Sequence, residues 1–243
     1  MELFRGSRLW HRFVAFAFHL LYGPFAWAYD RVSWAVSRGE WRRWQRAVLP
    51  RLQGPRVLEI GFGTGDLLVD MAARGYQPWG IDLSPRMVAL AARKLRSRGA
   101  TAHLCRARAQ ALPFHDAAFD SVATTFPASF INEKETLWEI RRVLRPRGRL
   151  IIADGGRLLG RDPLSRFLNW ALDVTSGPVE PPAEAQETRE GEPDFVIEQE
   201  VKRSHPVGLS ALSQDVLGRG VSVQEVRYER STVQVIVARK EGD

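Results

Sequence analysis

The sequence predicts an α/β fold: a doubly wound, mostly parallel sheet whose edge is closed by an antiparallel C-terminal hairpin. Three observations predict it. Between residues 56 and 154, short apolar strands alternate with amphipathic helices, the order expected of a parallel sheet covered on both faces. The strand Arg56 to Ile60 runs directly into three alternate glycines, Gly61, Gly63 and Gly65, and then into a helix. Near the C-terminus, Val221 to Tyr228 and Thr232 to Ala238 alternate as two strands of a hairpin.

Each element follows from its residues. Val57, Leu58 and Ile60 are bulky apolar groups suited to a strand buried on both sides. Asp66 to Arg74 is the helix after the turn, and Trp79 to Asp82 lies in the second strand. Ser84-Pro85 starts a helix over 84 to 98, which carries the apolar stripe Met87, Val88, Leu90, Ala91 and Leu95 and ends at Gly99. Thr101 to Ala107 is the third strand, Phe119 to Pro127 the fourth with its exit loop, Glu133 to Arg145 a helix, and Leu144 to Asp154 the turn into strand five. Pro163 to Asp173 reads as an amphipathic helix that could wall an acceptor pocket. Residues 1–50 are expected to form a helical, aromatic and basic lid segment, with the main domain over 51–243 and a Pro/Glu-rich loop near 177–194.

With 243 residues the chain is long enough to bury a core without disulfides or a structural metal. Its single cysteine, Cys105, argues against zinc and against an oxidised scaffold, so a reducing cytoplasm is the expected compartment. Net charge is +7, and the basic side is concentrated in the first 56 residues, where Asp30, Glu2 and Glu40 are the acidic residues and five of the eight tryptophans also lie. No RNA-binding pattern accompanies that charge, so nucleic acid is not the expected partner; an anionic membrane surface is a candidate partner, beside a packed lid that needs none. Gly23-Pro24 interrupts the uncharged run 13 to 29, which disfavours a transmembrane span. A helix pair packed over the pocket and an interfacial segment are both open for it.

The glycine turn can bring backbone close to a ligand. A dinucleotide fingerprint would need glycine where Asp66 stands, and Glu59 and Asp66 edge the loop with charge that repels phosphate. A cationic, phosphate-free nucleoside suits it better. Asp82 ends the next strand, where an acid can chelate two ribose hydroxyls or simply cap the helix that follows.

The run Glu59-Ile60-Gly61-Phe62-Gly63-Thr64-Gly65 resembles motif I of the class I S-adenosylmethionine-dependent methyltransferases, whose fold is a Rossmann-like sheet. Tyr29-Asp30, Ser37-Arg38-Gly39 and the basic aromatic helix after them resemble more loosely the ubiquinone/menaquinone-type C-methyltransferases and related lipid-directed enzymes. The resemblance implies S-adenosyl-L-methionine as cofactor, held by Glu59, Gly61, Phe62, Gly63, Thr64, Gly65, Asp82 and Leu83, with the methionine carboxylate on the helix amides after Gly65. Met87 adjoins that group, although a methionine in such a stripe more often belongs to the core. The Leu112-Pro113-Phe114 stretch resembles the family's adenine-side loop, with Arg108 where the family usually carries Asp. Arg108 has no acceptor for the adenine amino group, so stacking, Gln110 and the Ala109 amide are the alternatives. Thr125 and Phe126 should border the reacting methyl.

The expected function is methyl transfer to a small, apolar or lipid-like acceptor, either a quinone-ring carbon or a phospholipid amine. Tyr29 and His115 are the candidate catalytic residues, and His205 is a weaker base candidate. Packing suffices to explain Tyr29, and exposure to solvent or a cover over the adenine would explain His115. The competing class is a non-catalytic nucleoside-binding module attached to membrane or RNA through its basic N-terminus, with Arg108 as its support.

Overall fold

The computed structural model describes residues 28–127, 129–176, 197–200 and 221–240. Most of the apolar run 13 to 29, the loop 177–194 and His205 therefore lie outside the described residues. Eight strands form one sheet: β1 (Arg56–Ile60), β2 (Gln77–Asp82), β3 (His103–Arg106), β4 (Phe119–Thr125), β5 (Leu144–Leu158), β6 (Ile197–Glu200), β7 (Val221–Arg227) and β8 (Ser231–Arg239), in the order β3-β2-β1-β4-β5-β8-β7-β6. The first five are parallel to their neighbours, and β8, β7 and β6 add antiparallel pairings. The chain winds outward in both directions from β1 and β4, which makes their junction the topological switch point where ligands of such sheets bind.

The described helices are α1 (Tyr29–Val36), α2 (Trp41–Arg46), α3 (Asp66–Ala72), α4 (Pro85–Ser97), α5 (Lys134–Val143) and α6 (Pro163–Ser176). Ser84 caps α4 by accepting from the Met87 amide at 3.4 Å, with Pro85 in the first turn, where its missing N–H costs nothing. Burial follows the period of two. Leu58 and Ile60 of β1 join the cluster under α5 with Ile140 and Leu150, whereas Val57 joins Met71, Ile151 and Val233 on the opposite face.

Three elements depart from the expectation. Strand β3 is shorter than 101 to 107, because its pairing with β2 covers only His103 to Arg106. Strand β5 continues past Asp154 to Leu158, because β8 pairs with it across a bulge between Asp154 and Arg157. Residues 197–200, which had no expected role, extend the edge beyond β7. Helix α2 does more than cover the sheet: Trp44 is fully buried among Val57, Met71 and Val233, and its Nε1 donates to Ser231 Oγ at 2.9 Å. That hydroxyl in turn donates to the buried Glu40 carboxylate at 2.8 Å. Trp44, Ala47, Val48 and Leu49 are thus part of the core that the sheet shares.

Candidate active site

At the carboxyl ends of β1, β2 and β4 the structure opens a cavity of about 490 Å³. Its floor is the glycine turn. Gly61, Gly63 and Gly65 all have positive φ (75°, 54° and 82°), a backbone region that side chains disfavour. The Gly61 amide donates to Ile81 O at 2.8 Å, fastening the turn to β2. A Cβ on Gly63 would meet nothing within 4 Å, so this is the open stretch of backbone that a ligand can approach. Gly65 is different: a Cβ there would come within 2.8 Å of Ala91 Cβ, so its glycine serves the packing of α3 against α4.

Asp82 stands at the cavity wall, largely buried. One carboxylate oxygen accepts from the Gly63 amide at 3.0 Å and the other from the Ser84 amide at 2.8 Å. Both proposed roles therefore coexist in geometry: the acid orders the turn and the helix start, and a carboxylate retains further acceptor sites for hydroxyls. Burial pushes its pKa up, and the backbone amides counter that shift.

Glu59 lies on β1, two residues before the turn, below the lining of the cavity. Both of its carboxylate oxygens are buried without a hydrogen-bond partner. Burial foremost, and then the charges of Asp82, Asp66 and Asp70, push its pKa well above the ordinary carboxylate value. Such a group suits a site that receives a positive charge, because a neighbouring cation relieves a buried carboxylate. The donor set thus fits a sulfonium nucleoside with a free amino group.

The expectation that Asp66 leaves the loop anionic requires correction. Lys94 of α4 reaches Asp66 at 2.8 Å, and Arg42 reaches it at 3.6 Å. The same ammonium contacts Asp30 and Thr64 Oγ1, each at 2.9 Å, and Thr64 Oγ1 donates to Asp30 at 2.6 Å. This cluster ties α1 to the glycine turn, and it leaves Glu59 and Asp82 as the acids that set the site's electrostatics.

The remaining expected site residues divide by position. Phe62, Thr64, Leu83, Arg108, Ala109 and Gln110 line the cavity with the glycines. Arg108 is exposed and its segment closes on Ala111 by an isolated bridge, while the Gln110 amide donates to Glu133 at 2.6 Å. Met87 is fully buried outside the lining, in line with core packing. Gly65 and Glu59 also stay outside the lining. His115 is placed elsewhere. It precedes β4, at the amino end of the strand and opposite the cavity, exposed, with Nδ1 2.9 Å from Asp116 O. No element turns it back towards the carboxyl ends, so its candidacy as a base has no geometric support.

Tyr29, Thr125 and Phe126 do come together, joined by Trp41, Gln45 and Phe130. Phe126 has φ 49°, rare for a residue with a side chain, and its amide donates to Ala153 O at 2.7 Å. Its ring stacks on Trp41 at 4.3 Å, and Tyr29 meets Trp41 edge-on at 6.5 Å. Sequence reasoning missed Trp41, Gln45 and Phe130. The clustering of tryptophans before residue 56 was the available signal for Trp41; nothing local marks Gln45. Helix α6, expected as an acceptor wall, contributes no lining residue among its described side chains and exposes Leu164 and Phe167.

Glu59→Gln is expected to make the ligand-free protein less sensitive to rising pH. An acid with a raised folded-state pKa stabilises the fold below its unfolded value, about 4.3, and that stability is lost as pH rises through the folded value. Urea midpoints across a pH series should therefore fall less in the variant than in the parent. Parallel curves would assign the loss to other acids.

Residues 57–148 match the family profile described as a methyltransferase domain. A demethylmenaquinone methyltransferase of Thermus thermophilus is 36% identical over 140 residues, 55% of this chain and 64% of that protein. A ubiquinone/menaquinone biosynthesis C-methyltransferase of Blochmanniella pennsylvanica is 36% identical over 138 residues, 53% of this chain and 54% of that protein. The chain thus spans less than two thirds of the length of these curated relatives. A crystal structure from Pyrococcus horikoshii OT3 shares the fold at TM-score 0.51 and 18% identity, covering 83% of this chain and 92% of its own.

Proposed function

We propose that residues 57–148, which match a methyltransferase domain model, form the core of a class I S-adenosylmethionine-dependent methyltransferase, and that the chain methylates a ring carbon of a reduced, lipid-tailed quinone. The observation that carries the acceptor class is the aromatic wall of Tyr29, Trp41, Phe126 and Phe130, set beside the glycine turn and suited to a flat ring. The names of the relatives, menaquinone and ubiquinone methyltransferases, agree with that choice. Neither the domain match nor the relatives support the non-catalytic module.

The cofactor, when bound, supplies a methyl on a sulfonium whose leaving group is a neutral thioether. Transfer to a ring carbon would draw the new bond's electron pair from the ring, return the C–S pair to sulfur and release the ring proton to water. The chain's own residues hold and align the reactants. In this reading Asp82 accepts from the ribose hydroxyls, the amides at the start of α3 hold the carboxylate, and buried Glu59 offsets the cofactor's positive charge. Alignment and exclusion of water can together amount to about 7–11 kcal/mol, which is why no triad is required. Among the described residues, no helix is long and apolar enough to cross a membrane. Exposed Trp34, on the same helix as Tyr29, and the basic N-terminal segment instead support peripheral docking in the cytoplasm on an anionic surface.

The test is incubation of the full chain with methyl-labelled cofactor and prenylated quinols in anionic or zwitterionic vesicles. Ring-carbon labelling, faster on anionic vesicles at low salt, is the expected result by mass spectrometry. Label on a phospholipid amine in place of the ring would overturn the acceptor class, and equal rates on both vesicles would remove the membrane surface.

A further inference from the structure

We infer that Gln45 selects the acceptor, accepting a hydrogen bond from a ring hydroxyl while Trp41 and Phe126 hold the ring. This assignment rests on the aromatic-acceptor reading above and adds to it a specific polar contact. Gln45 belongs to α2, the short helix that Trp44 anchors in the core, and it lines the cavity together with Trp41, Thr125 and Phe126. Its Nε2 lies 3.5 Å from Thr125 Oγ1, at the limit of a hydrogen bond. Its Oε1 is buried and accepts nothing. A buried carbonyl without a donor is costly, and a ligand that donates to it recovers that cost.

The walls determine which donor fits. Trp41 and Phe126 stack at 4.3 Å and 26° and present a broad apolar surface to the cavity, so the donor must be carried by a flat apolar body. Phe126 is held there at φ 49° by its bond to Ala153 O, which fixes the wall to β5. The terminal amide torsion of Gln45 is soft, so its carbonyl can turn to a hydroxyl on a ring laid against that wall. A phenol or hydroquinol satisfies both requirements; the corresponding aryl ether satisfies only one. Sites built to bond a hydroxyl strongly reject analogues that lack it.

The experiment measures calorimetric binding of 1-naphthol and 1-methoxynaphthalene to the full chain saturated with S-adenosylhomocysteine, in the parent, Gln45→Leu and Gln45→Glu. The parent should prefer naphthol by at least tenfold. Gln45→Leu should lose that preference, Gln45→Glu should keep it, and the affinity of all three for S-adenosylhomocysteine should agree within twofold. Naphthol preference that survives in Gln45→Leu, or a parent that binds both compounds equally, overturns the role of Gln45 and leaves the aromatic-acceptor reading standing. A parent that binds S-adenosylhomocysteine and neither naphthalene overturns both.

Discussion

Asp82→Ala is expected to weaken S-adenosylmethionine binding by at least tenfold and to leave the protein folded. Two effects act in the same direction. The substitution removes a charged acceptor for the ribose hydroxyls, and a hydrogen bond to a charged group contributes about 1.5–3 kcal/mol. It also releases the Gly63 and Ser84 amides, which Asp82 holds at 3.0 and 2.8 Å, so the turn loses one of its ties to the end of β2. Asp82→Asn retains a neutral acceptor and should show a smaller loss. Calorimetry with both variants, alongside circular dichroism, provides the check, and an unchanged dissociation constant for Asp82→Ala would remove this acid from the cofactor site.

Gly65→Ala is expected to lower stability by about 2–5 kcal/mol. The left-handed backbone at φ 82° costs a residue with a side chain roughly 1–2 kcal/mol, and forcing a methyl to 2.8 Å from Ala91 Cβ adds about 1–3 kcal/mol of overpacking. Against a total of about 5–15 kcal/mol, that loss is large. Gly63→Ala is the internal comparison. Its φ of 54° incurs the backbone cost, but its Cβ meets no protein atom, so its stability should fall less while its methyl intrudes where the ligand approaches. Urea unfolding of the two variants should rank Gly65→Ala as the less stable. The reverse order would mean that the α3 and α4 packing yields easily.

The local chemistry of residues 56 to 154 was largely visible in the amino-acid order. A strand of Val57, Leu58 and Ile60, a turn of alternate glycines and an acid closing the next strand are near neighbours in sequence, and the period of two assigns each side chain to a face. Strand limits were less legible, because the extension of β5 to Leu158 depends on β8, some eighty residues later in the chain. The helix start at Ser84 and Pro85 was equally local.

Charge and proximity were decided by the tertiary structure. Asp66 looks anionic in the sequence, yet Lys94 is folded against it by the packing of α4 on α3, and Arg42 approaches from α2. His115 sits in a stretch that begins at the cavity, but the chain has run to the amino ends of the strands before reaching it. Conversely, Gln45 and Thr125 are eighty positions apart and face one space because Trp44 buries α2 against Ser231 and the sheet. The sequence by itself determined the parallel sheet, the glycine turn and the acid at Asp82, since these depend on periodicity and backbone freedom within a few residues. Only the tertiary structure decided which acids pair with cations and which side chains meet across the cavity, because both depend on distances between elements that no local pattern encodes.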